Sequence, residues 1–312
     1  VTRLLVVGGN GQVGRELRRS LRPLGEVVAA TRDGALADGG SGVVADLSDP
    51  EALAGLVAEV APAAVVNAAA YTAVDKAETE REAAFRINAA APGALARACA
   101  EAGIPLVHYS TDYVFDGQGT RPYREDDPTV PLGVYGASKL AGEEAVRAAG
   151  GRHLVFRTAW VYAAHGHNFL RTMLRLGAER DELRVVADQV GSPTPAALIA
   201  DVTAGALSKA LTGTAPDRGT WHLVAGGRTS WHGFAEAIFA EAVAAELLPR
   251  APKVVPITTA DYPTPARRPA YSCLDTTRLS QDFGLVLPDW RESLHGVVAA
   301  LRQAGDGLHP PL

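Results

Sequence analysis

The chain has 312 residues, 47% hydrophobic and 21% charged, a globular balance with room for one large α/β unit or a main domain and a smaller partner. A formal net charge of -5 without any lysine- or arginine-rich block excludes a nucleic-acid footprint, and no apolar run approaches the roughly 20 residues that span a bilayer. Cys99 and Cys273 offer neither a disulfide framework nor a metal spacing, which places the chain in a reducing cytoplasm.

Val1-Thr2-Arg3-Leu4-Leu5-Val6-Val7 opens as a strand, without the layout of a secretion signal. Strands are predicted near Leu4–Val7, Glu26–Thr31, Gly42–Ala45, Ala64–Asn67, Leu106–Ser110 and His153–Arg157. Helices are predicted between them, near Gly11–Arg22, Pro50–Val60, Glu80–Ala102 and Tyr135–Ala149. Runs such as Ala63-Ala64-Val65-Val66 are apolar throughout, as strands buried on both faces are. The alternation predicts an α/β fold, a Rossmann-type doubly wound parallel sheet with right-handed crossovers.

Beyond Val161 the rhythm changes. Helices are expected over Asn168–Gly177, Pro195–Leu211, Trp231–Leu247 and Trp290–Gln303, and strands over Leu183–Ala187 and Trp221–Val224. The cluster Tyr262-Pro263-Thr264-Pro265-Ala266-Arg267-Arg268-Pro269 marks an ordered loop. These segments predict a smaller C-terminal α/β substrate domain capping the carboxyl edge of the sheet. Residues 1–163 with about 196–226 would form the dinucleotide-binding domain, and about 164–195 with 227–312 the substrate domain.

Gly8-Gly9-Asn10-Gly11-Gln12-Val13-Gly14 follows the first strand and opens the first helix. Gly8, Gly11 and Gly14 permit a sharp turn and a close backbone approach to a pyrophosphate at the positive helix end. Thr31-Arg32, at the tip of the second strand, suits a 2′-phosphate and favours NADPH, with NADH also accepted beside Asp33. Asp46 and Leu47 are placed to meet the adenine. Asn67-Ala68-Ala69-Ala70 leaves room for the bridge of the cofactor at Ala68 and Ala70. The pair His165-Gly166-His167 reads as a solvated loop, not a metal site.

Tyr135 and Lys139 lie four residues apart in a helical segment and share one face. An ammonium beside a phenol favours the phenolate, so Lys139 is expected to lower the Tyr135 pKa. A tyrosine so tuned exchanges a proton with a carbonyl or hydroxyl oxygen.

With Ser110-Thr111-Asp112, these motifs resemble the extended short-chain dehydrogenase/reductases. Asn67–Glu78, His108–Asp116, Arg157–Tyr162, Asp188–Thr194 and Tyr262–Pro269 narrow the likeness to the branch that reduces dTDP-bound ketosugars. The resemblance implies reduction of the C4 ketone of a dTDP-4-keto-6-deoxy sugar, first of all dTDP-4-dehydro-L-rhamnose, with Thr111, Tyr135 and Lys139 catalytic. It also implies cofactor contacts for Gln12, Val13, Thr72 and Tyr109, and sugar-nucleotide contacts for Val74, Thr111, Asp112, Tyr113, Trp160, Arg267 and Arg268.

Some relatives dimerise through magnesium held by glutamates. The first matches Glu16, but the others fall on Ala197 and Ala300, and alanine offers a hard cation no ligand. No structural magnesium is expected, and a monomer or weak dimer is. A 4,6-dehydratase would need glutamate where Tyr113 stands. An epimerase would recycle its hydride. A reductase of a dihydrostreptose-type sugar and a non-catalytic NADP-binding regulatory homologue are the remaining alternatives.

Overall fold

The computed structural model describes residues 2–305. Its centre is a seven-stranded parallel sheet. In chain order the first six strands are β1 (Arg3–Val7), β2 (Glu26–Thr31), β3 (Val43–Val44), β4 (Ala64–Asn67), β5 (Leu106–Thr111) and β6 (His153–Thr158). The seventh, Arg218–His222, pairs with β6, and the spatial order is seventh strand, β6, β5, β4, β1, β2, β3. The winding direction reverses between β1 and β4, opening a crevice at the carboxyl ends of the strands. β4, β5 and β6 are buried along their whole length, as the apolar run at β4 predicts, and β5 and β6 bury polar side chains such as His108, Ser110 and Arg157 as well.

Helices α1 (Gln12–Ser20), α2 (Pro50–Val60), α3 (Val74–Ala77), α4 (Arg81–Phe85), α5 (Ala91–Glu101) and α6 (Val134–Ala148) connect the first six strands. One core gathers Leu4, Leu17, Phe156, Ile199 and Trp221 on one face of the sheet. The other gathers Leu5, Leu53, Leu95 and Val155 on the opposite face. A third core, holding Leu174, Phe234, Phe239 and Trp290, lies among the helices Phe169–Glu179, Trp231–Ala244 and Trp290–Gln303.

The predicted helix Glu80–Ala102 is instead α4, a π turn over Arg86–Ala90, and α5. Pro92 has no N–H for the carbonyl four residues earlier and crowds it, so the ladder widens there. The turn places Asn88, whose side chain donates to the Tyr71 carbonyl and Ser138 Oγ, both at 3.0 Å, and accepts from the Tyr71 amide at 2.8 Å. The strand near Trp221–Val224 begins earlier, at Arg218, where it meets β6. A strand over Lys253–Ile257, parallel to Glu182–Val186, and a helix over Thr277–Phe283 were not foreseen. Among the described residues no helix is long and apolar enough to cross a membrane.

Candidate active site

The glycine loop turns because its residues leave no room for a side chain. Gly8 has φ +88°, and a Cβ there would lie 2.7 Å from the Ala69 amide; one at Gly14 would lie 2.0 Å from the Gly8 carbonyl oxygen. The chain therefore folds tightly over the end of β1, and the Gly8 and Gly9 amides donate to the Ala30 carbonyl at 2.9 and 3.0 Å. Helix α1 starts at this point with no side-chain cap and no acidic residue in its first turn. Its free amides and positive end suit an anion.

The helix end faces a cleft of about 360 Å³. Gly8, Gly11, Thr31, Arg32, Asp46, Leu47 and Ala70 line it as expected, joined by Asn10, Asp33 and Ala69. Asn10 clamps the far rim, donating to the Ala35 carbonyl and accepting from the Ala37 amide, both at 2.9 Å. Glycines at one end, a guanidinium at the other and small alanines between fit a dinucleotide with a phosphorylated ribose.

Other predicted cofactor contacts do not line this cleft. Val13 and Ala68 pack against the core, and Thr72 is exposed. Gln12 accepts from Asn168 Nδ2 at 2.9 Å. The Tyr109 hydroxyl is buried in a 2.7 Å hydrogen bond with Thr203, so only its carbonyl is turned towards the site.

That carbonyl organises the reacting groups. Lys139 Nζ donates to it at 2.5 Å, and Thr111 ends the same strand two residues on. Tyr135 opens α6 near the Thr111 hydroxyl and packs edge-on against Tyr113, with ring centroids 5.4 Å apart. The three predicted catalytic side chains therefore converge at the end of β5.

Three residues outside the predicted set brace their elements, and a fourth, Asp75, anchors the loop beside them. Glu78 Oε1 accepts from the Val134 amide at 2.9 Å, capping α6. Asn88 fixes Ser138. Glu143, four residues beyond Lys139 and fully buried, takes Ser110 Oγ at 2.5 Å and is gripped by Arg157 at 2.8 and 2.9 Å. Asp75 accepts from the Ala266 amide and from Arg268 at 2.7 Å, tying the proline-rich loop to α3. Nothing local marks Asp75 or Glu78, whose partners lie far along the chain. Glu143 had a local signal, since it continues the four-residue spacing of Tyr135 and Lys139.

The expected lowering of the Tyr135 pKa is not found. Desolvation, then the Asp112 carboxylate, raise it, and the nearby Thr111 hydroxyl opposes them only in part. Lys139 spends its ammonium on the Tyr109 carbonyl, and burial pulls its own pKa down to about 8 against the pull of Glu143.

Arg268 is half-buried against Asp75 with its charge near the Tyr113 phenol, while Arg267 is exposed. Val74 begins α3 half-buried, and Trp160 lies just beyond β6. His165 pairs with Glu16 at 2.9 Å, and Arg19 also donates to Glu16. Among the described residues no group of three or more histidine, cysteine or carboxylate side chains forms a metal site.

Asp112 is buried, accepts from Thr111 at 2.9 Å, and has no hydrogen-bond partner for Oδ2 among the described residues. Burial pushes its pKa up to about 6, above the ordinary value of 3.8. The fold therefore binds this proton more tightly than the unfolded chain does, a contribution complete below about pH 4 and lost as pH rises through about 6. Asp112→Asn cannot ionise, so it is expected to be more stable than the parent by about 3 kcal/mol at pH 7, the gap closing towards pH 4. Urea unfolding across that range checks this; no gain at pH 7 would contradict it.

Residues 2–303 match the family model described as the RmlD substrate binding domain. A protein of Burkholderia thailandensis named dTDP-4-dehydrorhamnose reductase is 53% identical over 294 residues, covering 93% of this chain and 95% of its own. One of the same name from Escherichia coli K12 is 49% identical over 289 residues, covering 92% and 94%. The crystal structure of dTDP-4-dehydrorhamnose reductase from Bacillus anthracis in complex with NADP superposes with a TM-score of 0.85 at 34% identity, over 96% of this chain and 99% of that one.

Proposed function

This chain belongs to the RmlD substrate binding domain family, and we propose that it reduces the C4 ketone of dTDP-4-dehydro-L-rhamnose to dTDP-L-rhamnose with NADPH. The observation that carries this reading is the convergence of Thr111, Tyr135 and Lys139 at the end of β5, on the crevice edge that the glycine loop also faces. Bound NADPH would supply the hydride to C4. The side chains have to hold the ketone and complete the alcohol.

Tyr135 offers its hydroxyl to the carbonyl oxygen, and Thr111 would turn its own to the same oxygen from the Asp112 carboxylate, to which it donates at 2.9 Å; the two polarise the ketone and stabilise the negative charge that develops there. A reductase needs its acid protonated before the hydride arrives, and the raised pKa of Tyr135 keeps the phenol neutral at working pH. As C4 is reduced, the phenol gives its proton to the alkoxide, and the Lys139 ammonium one helical turn on stabilises the phenolate left behind. Thr31 and Arg32 would hold the 2′-phosphate, and the amides of α1 the pyrophosphate.

The third core and the loop bearing Arg267 and Arg268 form the substrate lobe in this reading, with Val74, Asp112, Tyr113 and Trp160 facing the sugar nucleotide. The engagement of Glu16 by His165 and Arg19 supports a chain without structural magnesium, a monomer or weak dimer.

The purified protein is expected to oxidise NADPH only when given enzymatically made dTDP-4-dehydro-L-rhamnose, with NMR of the product showing the rhamno configuration. Binding of NADPH with no oxidation against any dTDP-4-keto sugar would favour a regulatory role instead. Turnover confined to a branched ketosugar would favour a dihydrostreptose-type reductase.

A further inference from the structure

Trp160 has φ +49°, a left-handed conformation that bulky side chains rarely adopt and that persists only where the surroundings hold it. Two neighbours do so. Its indole lies flat on that of Trp231, with centroids 3.6 Å apart and planes 3° from parallel. On the other element, a Cβ at Gly191 would fall 2.5 Å from Trp160 Cε2 and 2.6 Å from Nε1, so a larger residue would displace the ring.

Gly191 and Trp231 are themselves linked. Gly191 pairs antiparallel with Thr229, and Ser230 then caps the helix that Trp231 begins, accepting from the Gly233 amide at 3.0 Å. Behind Trp231 the rings continue into the third core. Phe169 lies 4.7 Å from Trp231 and stacks on the buried Phe234 at 5.5 Å. Trp160 is the outer end of an aromatic column, partly exposed where the column leaves the core.

We propose that Trp231 is a positioning residue for sugar binding, holding Trp160 in its strained pose so that the hexose meets a preset aromatic surface. The inference rests on the reading that Trp160 touches the sugar. With one face covered, the indole loses its rotamer freedom before the substrate arrives, and binding no longer has to supply that order. Without Trp231, φ of Trp160 can relax and the sugar must restore the pose. The loss falls on sugar affinity and spares the cofactor, whose cleft lies across the glycine loop.

The test uses the full chain with Trp231→Ala, Trp231→Phe and Trp160→Ala. It reads the exciton couplet of the paired indoles in far-UV circular dichroism, and KM for both dTDP-4-dehydro-L-rhamnose and NADPH. Trp231→Ala is expected to abolish the couplet and raise the sugar KM about 10-fold, equivalent to about 1.4 kcal/mol, with the NADPH KM unchanged. Trp231→Phe, which keeps a flat ring, is expected to recover most of the sugar affinity.

A raised sugar KM in Trp160→Ala but not in Trp231→Ala overturns the positioning role alone. An unchanged sugar KM in Trp160→Ala overturns the placing of Trp160 at the sugar, and this inference with it. Equal rises in both KM values, unrescued by phenylalanine, mark a general loosening and overturn it too.

Discussion

Tyr135→Phe is expected to cut turnover by about 100-fold or more, the scale of a lost general acid, while NADPH still binds. The substitution removes one oxygen and leaves the ring to pack edge-on against Tyr113, so α6 keeps its place. It takes away the phenol that lies near Thr111 and whose pKa burial holds high. Thr111 would remain to orient the ketone, but its hydroxyl has no ammonium on the next turn to stabilise the anion formed by giving up a proton. Steady-state NADPH oxidation with the ketosugar, beside a fluorescence titration with NADPH, separates the two effects. Near-normal turnover would refute the assigned role.

Lys139→Met should be nearly as damaging, with turnover down about 100-fold, the scale of removing one preorganised charge from a buried site. Methionine fills much of the same volume, but the donor to the Tyr109 carbonyl and the buried positive charge one helical turn from Tyr135 are gone. The pH dependence makes the prediction specific. Lys139 has its pKa pulled down to about 8, so the parent is expected to lose activity as pH rises through about 8 and the ammonium gives up its proton. The charged groups around it agree with this sign. Glu143 on its own helix pulls the pKa up, and His108 on β5 is kept neutral by burial and by Lys139 itself.

Stability moves the other way. A lysine whose folded pKa is lowered binds its proton less tightly in the fold, so stability rises with pH from about 8 towards 10.5. Lys139→Met should therefore be no less stable at neutral pH, and its lost turnover cannot be assigned to unfolding. A variant that keeps the parent's alkaline limb would show that another group titrates there.

Much of the frame was legible because local pattern carries it. β2 and α2 lie over their predicted spans, and Trp290–Gln303 is helical over its full predicted span. Asp49 and Asp289 cap these two helices with their side chains, signals contained within a few residues. The strand Lys253–Ile257 was hidden because Pro256 sits within it. A two-stranded sheet tolerates that proline, but its partner Glu182–Val186 lies far away in sequence. The π turn was equally hidden, since Pro92 leaves the apolar periodicity around it intact.

The same division runs through the site. By itself the sequence determined the fold class, the glycine loop at the end of β1, and Tyr135 and Lys139 on one face of one helix. Spacing and residue type are enough for each of these. Only the tertiary structure decided how these groups are charged and aimed. Arg268 meets Asp75 from 193 positions away, Lys139 points to a carbonyl on β5, and Trp160 is held flat by Trp231. A pKa depends on how much water surrounds the group and which charges lie beside it. The expected phenolate of Tyr135 gave way to a raised pKa because packing removed its water and placed Asp112 nearby, and neither is written in a four-residue spacing.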